Sequence, residues 1–481
     1  MAKRIRSTAK FSCIYLLGLL WVLPLGLEAQ SARGSDAAAV LRQARADIES
    51  LCTEKMAGRG YTAQGHKHAA RFLAQRFREA GLAPLSEMER YTGAEAPPVK
   101  NADTEAYFQP FRFSVNLVED ARLKLEGYEL QLGTDYMPTA FTPTGQAEDL
   151  PLIDVGYGTP TELENLTRAG RLPSSGFVAV IKSGTPPEDI RYLISPQGDD
   201  TTDLKDDIFK VMVAELNGAE ATVLRVPELT HRFYPQPVPT APAFKVVDSV
   251  WQKHFPESGT LPRVEQLSTT AGLQEIQTQN VAAVRPGEVD TAVLFVAHYD
   301  HLGKVGSAIF HGANDNASGT AMLLSLADYY GKTPELSNTP YHLIFLAVSG
   351  EEAGLHGSSH YALTNPLFPL KQTKVVFDFD LFGYGEDGFA CVACNDYPGW
   401  AALLKQQNQA LANPLPIEER ANRPISDHYH FTTRGVPGFF FYLKGGKPFY
   451  HDVEDVPRAL SLAGFEAFRQ LMINTVAGLP R

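Results

Sequence analysis

The chain predicts an α/β fold in which a mainly parallel mixed sheet is flanked by helices and interrupted by an inserted, mostly-β domain. Three observations carry that expectation. Across residues 273–481, continuous apolar runs alternate with stretches of helical period, as in a parallel sheet covered on both faces. Residues 94–272 instead hold short strand-like runs split by proline and glycine. Residues 30–93 read as helical and complete the domain formed by 273–481.

Residues 1–29 read as a leader. Lys3, Arg4, Arg6 and Lys10 precede the apolar run from Phe11 to Leu27, which ends among small residues as an export signal does. Pro24 and Gly26 interrupt a spanning helix just before the cut and favour cleavage over an uncleaved signal anchor, the competing reading. The mature protein is therefore expected to be exported, periplasmic or extracellular, with no stable membrane insertion. Cys13 leaves with the leader, and its surroundings are not those of a lipoprotein cleavage site.

A first helix is expected from a cap at Asp36 through Val40, Leu41, Ala44 and Ile48. A second runs from His66 to Ala80, with an apolar stripe at Ala69, Ala70, Leu73 and Phe77 and a stop at Gly81. Gly58, Gly60 and Gly65 mark the intervening MAGRGYTAQG as a loop. Through the middle region, AYFQPFRFSV, LKLEGYELQL, PLIDVGYG, GFVAVIKSG and ATVLRVP read as strands, and no cluster with ligand spacing falls among them. The simplest account is a domain packed over the other. Beyond it come buried runs at Ala292–Ala297, Leu343–Val348 and Val375–Phe379, a helix over Ser318–Tyr330, a further strand at Pro437–Leu443 and a closing helix over Leu460–Val476.

Composition narrows the function. The chain has 481 residues, 44% hydrophobic and 20% charged, enough for a large core and more than one compact unit. Its net charge of −12 argues against nucleic acid or acidic lipid as a partner. Cys391 and Cys394 could pair in an oxidising compartment if a turn interrupts GFACVAC, whereas a CxxC zinc site would need a second pair that the chain lacks. A structural role fits these two and Cys52 better than redox chemistry.

Five residues able to bind a divalent metal each sit just past a run that reads as a buried strand, where sites form in such sheets. They are His298 in AHYDHLG, Asp315 in GANDNASG, Glu352 in FLAVSGEE, Asp380 in VVFDFDLFG and His451 in PFYHDVEDV. Two imidazoles and three carboxylates suit two zinc ions, with one carboxylate bridging. Roughly +4 from the metals against about −3 from the acids leaves room for one hydroxide, the nucleophile of a hydrolase. Glu351, beside Glu352, supplies the base.

Each element alone has a plainer explanation. The HxD of His298 and Asp300 can be a satisfied structural histidine; as support for a ligand, Asp300 would accept the imidazole's other N–H. Asp315 can be a capping residue, with Ser318 the N-cap of the following helix. Adjacent acids such as Glu351 and Glu352 are usually a solvated pair, but LIFLAVSG delivers these two from the interior. Asp378 and Asp380 alternate with Phe377, Phe379 and Leu381, where ionised acids need a counter-charge. Asp380 is the better ligand, and Asp378 would bond to backbone or a supporting group. Tyr450 could donate to an oxyanion. Asp455, four residues after His451, is expected to support the ligands. Ser426-Asp427-His428 is placed near the pocket, with Asp427 and His428 as substrate-binding candidates and a loop cap as the alternative.

AHYDHLG, NDNASGT, SGEEAGLHGS, FDFDLFG and YHDVED, in this order, resemble the motif set of the secreted co-catalytic zinc aminopeptidases of metallopeptidase clan MH, related to bacterial leucyl aminopeptidase and aminopeptidase Y. MAGRGYTAQGHKHAARFLAQRFREAGLAP is similar to that family's N-terminal helix region. VGYGTP, FVAVIKSG and NGAEATVL resemble the protease-associated domain that many members carry inserted. The resemblance covers nearly all of the mature chain. It implies that Asp315 bridges two zinc ions, that His298 and Asp380 complete one and Glu352 and His451 the other, and that Glu351 is general acid and base. Asn314 stands where the family has an acid and Asp378 where it has Asn; neither position is a ligand. The implied activity is hydrolysis of the N-terminal bond of peptides with a free N-terminus, through a metal-bridging hydroxide. Peptidases of the glutamate carboxypeptidase type and glutaminyl cyclases share the fold and are the alternatives. A non-catalytic binding ectodomain has no need of five convergent ligands beside a base.

Overall fold

The computed structural model describes residues 25–92, 98–182, 202–237, 239–255, 261–333, 339–447 and 449–480. The expected leader falls outside them up to residue 24. The first helix is longer than expected: it runs Leu25–Leu51 straight through Asp36. The second helix, Gly65–Glu79, buries the expected stripe at Ala69, Ala70, Leu73 and Phe77. Among the described residues no helix is long and apolar enough to cross a membrane.

One sheet organises the molecule. Its order runs Ile417–Arg420, Phe389–Val392, Gly438–Leu443, Thr373–Phe379, Val289–His298, Tyr341–Val348, Arg263–Arg285, then Gly145–Asp154, Phe177–Ile181, Ala219–Val226, Ala243–Val247 and Tyr136–Pro138. Val289–His298 lies parallel to both neighbours, so that Phe295 sits opposite Phe345 on one side and Phe377 on the other. These central strands are apolar on both faces because helices cover the sheet; every residue of Tyr341–Val348 is buried. Gly319–Lys332 and Phe465–Ala477 contribute Leu323, Leu326, Phe468 and Leu471 to the same core as Gly65–Glu79. A buried cation, Arg76, bonded to Asp47 at 2.9 Å and to Asp328 at 2.9 Å, ties three helices together.

Arg263–Arg285 is a 23-residue strand that joins the two halves of the sheet. Its end pairs antiparallel with Tyr341–Val348, its beginning with Gly145–Asp154, and nearly all of it with Phe108–Leu125. The expected boundary between 272 and 273 thus falls inside one strand. The middle region also holds the helices Pro160–Arg168 and Asp248–His254, the former with a capping box between Thr159 and Glu162. A short hairpin, Gly303–Val305 with Ala308–Phe310, buries Leu302, Val305 and Phe310 in the same cluster as Phe113, Val115 and Val246 of the middle region. Cys391 and Cys394 form a disulfide, and Ala393 at φ 72° makes the turn the spacing required.

Candidate metal centre

The five metal-capable residues come together at the carboxyl ends of the central strands. His298 is the last residue of Val289–His298, and Asp380 follows Thr373–Phe379 directly. Glu352 is reached from Tyr341–Val348 through Ser349 and Gly350, whose φ of 77° turns the chain across the strand end. Asp315 lies in the turn Ala313–Ser318 before the helix Gly319–Lys332, where the Asp315–Asn316 peptide bond is cis. His451 follows Gly438–Leu443 in the connection to the last helix.

Asp315 occupies the middle. Its Oδ1 is 3.4 Å from His298 Nε2, which is 3.3 Å from Asp380 Oδ1. Its Oδ2 is 3.3 Å from His451 Nε2, which is 3.0 Å from Glu352 Oε2. One carboxylate therefore presents a different oxygen to each of two groups of donors. The nitrogen and oxygen donor set suits zinc, and the buried atoms that would hold it, His298 Nε2, Asp380 Oδ1 and His451 Nε2, lack hydrogen-bond partners. Buried polar atoms left so are costly, and a cation among them removes the cost. The residues fit the metal.

Sequence reasoning missed His301. Its Nδ1 lies 2.5 Å from Glu352 Oε1, and with Asp315 and Glu352 it forms a second group able to hold a metal, beside the buried group of His298, Asp315 and Asp380. Its signal was the second histidine of AHYDHLG.

Charge follows geometry. Burial opposes a charge on His298, but Asp380, Glu351 and Asp315 outweigh it and raise the imidazole well above its ordinary value. His451 goes up to about 10, burial again opposing and Glu352 prevailing. Burial pushes Asp380 up to about 6 against the pull of His298. Glu351 is held well above the ordinary carboxyl range, first by burial and then by Glu352, Asp427 and Asp380.

The supporting contacts differ in part from expectation. Asp300 does not reach the His298 ring with its carboxylate, 4.0 Å away; the chain leaves the strand after His298, so His298 Nδ1 faces the backbone carbonyl of Asp300 at 3.2 Å. The Asp300 carboxylate instead accepts from the Tyr61 hydroxyl at 2.6 Å and the Glu351 N–H at 3.3 Å. Asp455 supports Asp315, accepting from the backbone N–H groups of Asn314 at 2.8 Å and Asp315 at 3.0 Å. Asn316, not Ser318, caps the helix: its Oδ1 accepts from Gly319 N–H at 2.9 Å, while the Ser318 hydroxyl donates to the Asn314 carbonyl at 2.7 Å. Asp378 accepts from the His428 N–H at 2.9 Å, a backbone partner as expected.

Asp427 and His428 are fully buried, and Asp427 stands close enough to Glu351 to raise its pKa. Tyr450 is 51% exposed and stacks on His451 at 3.9 Å between ring centroids. Burial and the carboxylates of Asp315, Glu352, Glu351 and Asp380 raise the pKa of its hydroxyl. The middle region also touches the site. His231 donates its N–H to the His451 carbonyl at 3.2 Å, which steadies a residue at φ 58°.

Aminopeptidase YwaD of Bacillus subtilis is 28% identical over 170 residues, 34% of this chain and 35% of that protein. The BOS complex subunit NCLN of Gallus gallus is 30% identical over 219 residues, 42% of this chain and 36% of that protein. The chain spans about a third of the length of these relatives. The structure of BSAP, a zinc aminopeptidase from Bacillus subtilis, shares the fold with a TM-score of 0.61 at 18% identity, over 90% of this chain and 93% of that one. An aminopeptidase from Aneurinibacillus sp. strain AM-1 matches with a TM-score of 0.55 at 19% identity, over 90% of this chain and 92% of that one. The segment that carries all five candidate ligands and Glu351, residues 280–476, matches the model of Peptidase family M28.

Proposed function

We propose that the protein is an exported aminopeptidase that depends on two zinc ions and removes residues from the amino end of peptides. The observation that carries this reading is the convergence of His298, Asp380, Glu352 and His451 on the two oxygens of Asp315, with Glu351 beside them. His298 and Asp380 would hold one ion, Glu352 and His451 the other, and Asp315 both. Zinc there supplies Lewis acidity, lowering the pKa of water and polarising a carbonyl. The YwaD and BSAP names support the choice of the amino end, and the leader-like start of the chain supports export.

Glu351 accepts a proton from the attacking water and returns it to the amine that leaves as the C–N bond breaks. A carboxyl whose burial raises its proton affinity suits both transfers. The Tyr450 hydroxyl donates to the oxygen on which negative charge gathers as the carbonyl is attacked. Asp300 fixes the Glu351 backbone from behind.

Purified protein is expected to hydrolyse aminoacyl chromogenic substrates, to lose that activity to a chelator, and to regain it with zinc. Peptides blocked at the N-terminus should resist. Cleavage of blocked peptides from the carboxyl end, or cyclisation of N-terminal glutamine, would replace this reading with another chemistry. Zinc bound without any turnover would point to a binding role, in keeping with a relative named as a complex subunit.

A further inference from the structure

The loop between the first two described helices holds a buried cation. Arg59 is 0% exposed. Its Nε donates to the Tyr299 carbonyl at 2.8 Å, its Nη1 to those of Leu51 at 3.1 Å and His311 at 2.6 Å, and its Nη2 to those of Gly312 at 2.7 Å and Asp315 at 3.4 Å. A further contact reaches Cys52 Sγ at 3.9 Å. A guanidinium can stay buried only where its donors are satisfied, and here backbone oxygens satisfy them.

Those oxygens are not scattered. Tyr299 lies between His298 and His301; His311, Gly312 and Asp315 form the loop that ends at the shared carboxylate. One planar fork therefore joins both loops that carry this part of the metal centre. The backbone around Arg59 is shaped to deliver it. Arg59 and Ala57 sit at φ 52° and 45°, a region that side chains other than glycine rarely adopt. A Cβ on Gly58 would meet the Phe310 carbonyl oxygen at 2.2 Å, and one on Gly60 would meet Gly303 Cα at 2.3 Å, so the loop lies directly against the hairpin between the two motifs.

We propose that Arg59 is a positioning residue of the metal centre, whose fork sets the spacing of the 298–301 and 311–315 loops and thereby the affinity for zinc. The inference rests on the zinc reading of the site. An ammonium offers three donors from one point and cannot span both loops, so Lys is no substitute.

The test compares Arg59→Lys and Arg59→Gln with Asp47→Asn, which breaks a buried pair remote from the ligands. Zinc affinity is measured by chelator competition, coordination by the visible spectrum of the cobalt(II)-substituted protein, and stability by thermal melting. Both Arg59 variants should bind zinc about 10- to 100-fold more weakly, with a changed cobalt spectrum. Asp47→Asn should melt lower yet keep wild-type zinc affinity and spectrum. The proposal is overturned if Arg59→Lys matches the wild type, which would leave only a charge requirement, or if Asp47→Asn weakens zinc as much, which would leave only global stability. Should neither Arg59 variant fold, Arg59 is a fold determinant and the positioning role is rejected. A wild-type protein that binds no zinc removes the reading of the site itself, a failure distinct from these.

Discussion

Glu351 and Glu352 are neighbours in sequence with opposite electrostatic behaviour. Both carboxyls are largely withdrawn from water, which alone would raise both. Glu352 is nevertheless held well below the ordinary carboxyl range, because His451 and His301 stand against its two oxygens. Glu351 is held well above it, because burial outweighs the pull of His298 and the carboxylates of Glu352, Asp427 and Asp380 add to the rise. Environment thus divides two identical side chains into an anion fit to bind metal and a group fit to exchange protons. Glu351→Gln should keep its zinc and lose about 10²- to 10⁴-fold in kcat, read from steady-state rates and metal content together. Near-normal turnover would remove Glu351 from the role of base. Tyr450→Phe should lose roughly 10²-fold in kcat with zinc content unchanged. Cys52 tests burial by itself. Its thiol is pushed up to about 12 by burial, with Arg59 opposing, against an unperturbed value of 9.0. Between those values the unfolded chain has lost a proton that the folded chain keeps, so stability falls as pH climbs through the window. Iodoacetamide at pH 8 should leave native Cys52 unlabelled and modify it after unfolding; labelling of the native protein would contradict the buried placement.

At the scale of elements, what could be read from sequence was whatever strand and helix periods expose. Acids after fully apolar runs stand out, so Glu352 and Asp380 were legible, and the strand ends brought His298 into line with them. What lay hidden depends on how the chain turns after a strand ends. His301 belongs to the site only because the backbone leaves extended geometry after His298, and the same departure takes the Asp300 carboxylate away from the ring. Asn316 competes with Ser318 for the helix cap, and only tertiary contact with the Phe379 carbonyl and the Leu381 N–H decides for Asn316. Arg59 was invisible because a glycine-flanked arginine in a loop normally faces water. Helix packing carries its own prediction. Arg76 bonds to both oxygens of Asp47 and also reaches Asp328, so that Leu25–Leu51, Gly65–Glu79 and Gly319–Lys332 share one buried cation. Asp47→Asn should cost about 3 kcal/mol in denaturant unfolding. Asp328→Asn should cost less, because Asp328 is partly open to water. Equal costs would show that burial does not set the strength of this network.

The whole molecule is organised by the strand Arg263–Arg285. It is hydrogen-bonded at one end to the strand that precedes Glu351 and at the other to Gly145–Asp154 of the middle region. The hairpin between the His298 and Asp315 motifs is buried among residues of that region, and His231 reaches across to His451. Removing the middle region would strip Phe108–Leu125 from Arg263–Arg285, expose Val305 and Phe310, and free the His451 backbone at once. Shared strands and a shared apolar cluster couple the stabilities of the two parts, in contrast to domains joined by a linker and a small polar interface. Calorimetry of the full chain should therefore show one cooperative transition, and zinc, which binds the folded state, should move all of it upward. Two transitions, of which zinc shifts only one, would mean that the middle region folds and melts independently of the site it touches.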